Sequence, residues 1–135
     1  MRTMRTMRTM GTMVTIAAMA MLAACSGAPE APAPADPVAL AKTSAAQILA
    51  TVPKSLGGGV RITGAAAEGR TLTIALDGMD DWRGQYSDAS MATTMKRGIC
   101  FEPGVDALTK AKGLVRLQSR DTRGVALPPL LIDAC

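Results

Sequence analysis

Apolar residues fall into blocks of different spacing along this chain. Met13 to Ala24 is continuously apolar apart from Thr15, whereas Ser26 to Pro37 alternates alanine with Pro29, Pro32, Pro34 and Pro37 and has no apolar period. Helical spacing follows: Val38, Ala41, Ala45, Ile48 and Val52 recur at three and four, the signature of one buried helical stripe. Asp36 and Pro37 supply an acidic N-cap and a proline at the first helical position, so a helix is predicted over 37–52, stopping before Pro53. After Gly57-Gly58-Gly59 the period drops to two. Val60 and Ile62, then Leu72, Ile74 and Leu76, alternate with other residues and predict two strands with one buried face. Gly64 to Gly69 is read as the loose loop joining them, and the triple glycine as a flexible joint.

Asp77 to Ser87 is polar and turn-rich. Ser87 or Asp88 is the expected cap of a second helix carrying Met91, Met95 and Ile99 at i+4 steps, with Ala92 beside them. A third strand is predicted from Leu114 to Arg120. The turn Asp121 to Gly124 then leads to a last strand starting at Val125 that Pro128 and Pro129 restrict to a sheet edge or to two short pieces. Helix, strand, strand, helix, strand, strand predicts an α+β domain: two helices packed on a small antiparallel sheet of about four strands.

The first block has the parts of a secretory signal: Arg2, Arg5 and Arg8, a 12-residue apolar run, and small residues before a cut. Twelve residues fall short of the roughly 20 that span a bilayer as a helix. The run ends in Leu22-Ala23-Ala24-Cys25, which resembles the lipobox of bacterial lipoproteins. That resemblance implies cleavage before Cys25, a diacylglyceryl thioether on its sulfur, and a further acyl chain such as palmitate on the new amino group. Ser26 resembles the residue that passes such proteins on to the outer membrane in enterobacteria. Residues 1–24 are thus expected to be a signal peptide, 25–37 a lipidated cysteine and Pro/Ala-rich linker, and 38–135 a small periplasmic domain. An extended linker of this composition would hold the domain on the order of 35 Å from the bilayer. The expected location is the cell envelope, anchored by lipid to the outer membrane and facing the periplasm. The triplet Met-Arg-Thr at the start carries no packing unit, and leaves the translation start open among Met1, Met4 and Met7.

Composition then narrows the chemistry. The net charge of +4 falls to +1 from Cys25 onward, because three arginines lie in the leader; seven of the ten methionines lie there too. Trp82, Tyr86 and Phe101 are the only rings, and histidine is absent. A nearly neutral chain with so few stacking groups points away from nucleic acid, and the lack of histidine removes the commonest general base and the commonest nitrogen ligand for metals. No cofactor and no metal are expected. With Cys25 lipidated, Cys100 and Cys135 remain as an even pair in a compartment that permits disulfides. Their bridge closes a loop of about 36 residues, which contributes roughly 4 kcal/mol in the chain-entropy model.

Few residues offer a site. Asp80 and Asp81 are the adjacent carboxylates, but neighbours in a loop point apart. Neither Gly-x-Ser-x-Gly nor Ser-x-x-Lys occurs, so a hydrolase is disfavoured and no catalytic residue is assigned. Arg116 and Arg120 share one strand face opposite Val115 and Leu117, a cationic strip whose default is a solvated sheet face and on which acidic polymers, lipid headgroups or a negatively charged protein could dock. Trp82 and Tyr86, in a loop with Asp80 and Asp81, suit a protein contact, although a core with so few large side chains has use for all three rings. The layout looks like small envelope lipoproteins that assist secretion or pilus machinery. That resemblance implies a non-enzymatic binding or assembly module with an envelope protein as partner. The alternative is an inhibitor or immunity lipoprotein whose Asp77–Ser87 loop enters a lytic enzyme.

Overall fold

Asp36 caps the first helix as its sequence predicts: its carboxylate accepts a hydrogen bond from Val38 N at 2.9 Å, and Pro37 follows at the first helical position. The computed structural model describes residues 33–135. The leader, Cys25 and the linker as far as Pro32 lie outside the described residues. Helix α1 spans Pro37–Leu49 and buries Ala41, Ser44, Ala45 and Ile48. It ends three residues short of 52, because the N–H of Ala50 bonds back to Ala46 and both the N–H and the hydroxyl of Thr51 bond back to Ile48.

Five strands follow: β1 Lys54–Gly57, β2 Val60–Glu68, β3 Thr71–Met79, β4 Leu114–Asp121 and β5 Leu130–Ile132. They form one sheet in chain order, β1-β2-β3-β4-β5. Three of the four pairings are antiparallel, but β3 and β4 run parallel. This corrects the expected four-stranded antiparallel sheet. Parallel neighbours need a long crossover, and helices α2 Asp88–Ile99 and α3 Val105–Lys110 supply it. Ser87 caps α2, its hydroxyl accepting from Ser90 N. The third helix was not expected: six residues are too few to show a period.

Two further corrections concern small residues. Gly64 to Glu68 is not a loop but the second half of β2, and the hairpin turn is Gly69–Arg70. Alanine is poor in strands, yet here Ala65 and Ala67 face the core and let the small residues of α1 pack closely. The triple glycine is the turn between β1 and β2 rather than a loose joint. Across from it, Gly78 sits at φ 80 beside a register shift in β3, and a β-carbon there would overlap the carbonyl oxygen of Gly59. Gly104 plays a similar part between helices, since at φ 76 a side chain would run into Ser44 of α1.

The core is aliphatic. Ile48, Ile62, Leu72, Ile74, Leu76, Ile99, Leu108, Val115 and Leu117 are sealed from solvent. Trp82 joins them, whereas Phe101 is 85% exposed and Tyr86 52% exposed; the interior is filled without them, contrary to the expectation that all three rings are needed. The segment after β4 is split into two pieces, as its prolines require: one bridge between Arg120 and Ala126, then β5. Buried Glu102, in the link between α2 and α3, pairs with Lys54 of β1 at 2.6 Å.

The disulfide joins Cys100, the C-cap of α2, to Cys135 just past β5, with their Cα atoms 5.8 Å apart. It fastens the α2 crossover to the far edge of the sheet. Replacing both cysteines by serine is expected to remove roughly 4 kcal/mol of unfolding free energy in the chain-entropy model, read as a shift in the urea midpoint followed by Trp82 fluorescence. A midpoint unchanged by the substitutions would show that the bridge adds nothing to stability.

Candidate functional site: the helix-free face of the sheet

Alternation in β4 sends Val115, Leu117 and Ser119 inward and Arg116, Gln118 and Arg120 outward. The inward side of the sheet meets the helices. The outward side carries no helix among the described residues, and register sorts it into rows across the strands. Arg61 of β2 pairs with Asp77 of β3, and Arg120 of β4 lies on the other side of Asp77, one residue past the Leu76–Ser119 pair. With strands about 4.8 Å apart, the two arginines leave the sheet roughly 10 Å from each other. The next row holds Gly64, Ala75 and Gln118; the one after it holds Ala66, Thr73, Arg116 and Leu131. A floor of glycine, alanine and threonine thus lies between arginines.

Two cavities adjoin on this face. One of about 530 Å³ is lined by Thr63, Ala75, Gln118 and the Ala126–Pro129 stretch, and one of about 250 Å³ by Arg61, Gly78 and Thr122; Asp77 and Arg120 line both. The strip predicted from Arg116 and Arg120 therefore lies on an exposed face. Arg61 and Asp77 complete it. Each of these two precedes or follows a buried strand residue, so its polar face was readable, but its neighbours were not, because lateral register is absent from the sequence.

The loop residues separate into different roles. Asp80 is exposed, and Trp82 is a core residue whose carbonyl accepts from the N–H groups of Gln85 and Tyr86. Asp81 is gripped by Arg83 through two side-chain bonds of 2.8 and 2.7 Å, with Arg123 3.9 Å away. The hydrogen bonds from Arg83 hold the Asp81 carboxyl down at about 2, against a usual 3.8, and the carboxylate in turn raises the Arg83 guanidinium. Asp121 is also held low, first by the N–H of Val125 and then by the side chain of Arg123. A general acid needs the opposite shift. These carboxylates instead order their own segments, and Arg123, held by Asp121, approaches Asp81 across them at 3.9 Å. Among the described residues no group of three or more metal-ligating side chains forms, and no helix is long and apolar enough to cross a membrane.

Comparison with known proteins bears on the fold. No family model matches the chain, and no curated protein does. Three solved structures share the architecture. A pilotin of the Vibrio vulnificus type 2 secretion system, EpsS, aligns over 73% of this chain and 88% of its own, at 16% identity and a TM-score of 0.58. The type II secretion system pilotin AspS of Vibrio cholerae aligns over 71% and 87%, at 20% identity and 0.55. A protein of Pseudomonas aeruginosa aligns over 73% and 89%, at 14% identity and 0.57. At these identities the likeness is one of fold: the α+β fold of this chain is that of the two pilotins.

The Asp81 pair has a pH signature. Its carboxyl is depressed in the folded state, so its contribution to stability is complete above the unfolded value near 3.8 and is lost as pH falls toward 2. The stability difference between the protein and its Asp81→Asn variant is expected to be flat above about pH 5 and to shrink below pH 4, measured by urea titration across that range. A difference that does not change with pH would remove the ion pair as its cause.

Proposed function

We propose that this chain is a lipid-anchored, non-enzymatic accessory of a cell-envelope secretion apparatus, in which a domain from residue 38 to 135 holds a protein partner near the membrane. The observation that carries this reading is the fold shared with two pilotins of type II secretion systems at TM-scores of 0.58 and 0.55. The sequence adds the anchor: Cys25 is the acylated first residue of the mature protein, residues 25–37 are its tether, and the outer membrane facing the periplasm is its location. The oxidised pair Cys100–Cys135 fits such a compartment. Clamped Asp81 and the chain's lack of histidine favour binding over hydrolysis. The contact surface is assigned to the helix-free face with Arg116 and Arg120, and to the loop carrying Asp80, Asp81 and Tyr86. Within that loop Trp82 serves from below, its ring in the core fixing the backbone that displays the others.

Crosslinking in cells followed by mass spectrometry tests the reading. The N-terminal peptide is expected to begin at acylated Cys25, crosslinks are expected to a component of a secretion machine, and Cys25→Ser is expected to move the protein from the membrane to the soluble fraction. A chain that begins at Met1 with a free thiol at Cys25 would refute the anchor. Crosslinks to a lytic enzyme would replace the accessory role with an inhibitory one.

A further inference from the structure

We infer that the helix-free face of the sheet docks an acidic segment of the protein partner, an inference that rests on the proposed partner-holding role and specifies its chemistry. The first support is architectural. In this sheet three of the four pairings are antiparallel, and such sheets can leave one face open; the β3–β4 pair is covered by helices on one side. Its inward residues Leu72, Ile74, Leu76, Val115 and Leu117 are buried, while Thr73, Ala75, Arg116, Gln118 and Arg120 look outward with nothing over them among the described residues. That open side is the surface available to a partner.

The second support is steric. Gly64, Ala66, Thr73 and Ala75 floor this face, and none projects more than a few atoms, so a partner's backbone can approach as closely as α1 approaches Ala65 and Ala67 on the other side. The two adjoining cavities, about 530 and 250 Å³, begin beside that floor. Leu131, 54% exposed and level with Arg116, adds an apolar contact at the rim.

The third support is charge, and it selects the occupant. Lys54, Arg83, Lys110 and Arg123 each hold a carboxylate. Arg61, Arg116 and Arg120 are exposed and hold none among the described residues. Asp77 lies between Arg61 and Arg120, Glu68 sits at the opposite end of β2, and exposed Asp133 follows β5 in the alternation of Leu131; the acidic groups are thus met at the ends of the face, and Arg116 is the guanidinium without an acidic neighbour in its row. A guanidinium fork matches a carboxylate in two parallel hydrogen bonds. Arg116 and Arg120, four strand residues apart, are spaced about 13 Å, which suits separate acidic side chains of one segment rather than a single small anion.

Binding can be read with the lipidated chain that begins at Cys25, in detergent micelles, using a fluorescein-labelled peptide of glutamate, alanine and leucine and its counterpart with lysine in place of glutamate. The acidic peptide is expected to bind and the lysine peptide not. Arg116→Glu with Arg120→Glu is expected to weaken binding at least about tenfold, and added salt to weaken it further. Reversal of Lys110 and Lys112, which lie away from this face, is expected to leave it unchanged. Should the double reversal disturb the circular dichroism spectrum, the single change Arg116→Ala carries the same expectation at smaller size. Equal binding of the two peptides, or equal losses in the two reversals, would overturn the inference. A photocrosslinker at position 118 in cells separates this from the parent reading: a partner trapped from position 86 but never from 118 removes the docking face and leaves the accessory role standing, whereas a partner trapped from 118 through an acidic segment supports both.

Discussion

The parallel pairing of β3 with β4 is the constraint from which most of the molecule follows. Once β3 ends at Met79, the chain has to travel back along the sheet before β4 can begin at Leu114, and α2 and α3 are the return path. That path fixes where Cys100 comes to rest, because the end of α2 lies against β5 and so within reach of Cys135. It also fixes which charges meet: β4 laid parallel beside β3 sets Arg120 next to Asp77, and so next to Arg61. Helix-free face, bridge and cationic row are consequences of one strand direction.

Packing along that path is tight and made of small parts. Gly104 has no side chain because Ser44 occupies the space it would need, and Gly113, one residue before β4, is likewise pressed against Leu108. α1 rests on the alanines of β2. An interior built from aliphatic side chains and one indole gains its stability from such close approach, since dispersion is collected over many short contacts rather than a few large ones.

Elements whose signal is local were legible in the sequence. Asp36-Pro37 and Ser87-Asp88 announce helix starts through capping chemistry, Leu72 to Leu76 and Leu114 to Arg120 announce strands through alternation, and the even pair of cysteines announces the bridge. Elements that depend on partners were not. Ala65 to Ala67 form a strand because β3 and α1 flank them, and alone they read as a loop. The direction of β4 depends on a crossover whose second helix is six residues long. The same division holds for the site: Arg116 and Arg120 were visible on one strand face, whereas Arg61 and Asp77 entered only with the register, and Trp82, placed in a polar loop by its neighbours, is drawn inward by its apolar surface.

The contact between Gly78 and Gly59 makes the sheet margin a lever. Any side chain at 78 would push on the carbonyl of Gly59 and tilt the β1–β2 turn outward. β1 is only four residues long and begins at Lys54, whose ammonium pairs with Glu102. Glycine at 78 therefore keeps in place the turn of the strand that carries the counter-ion of a buried carboxylate.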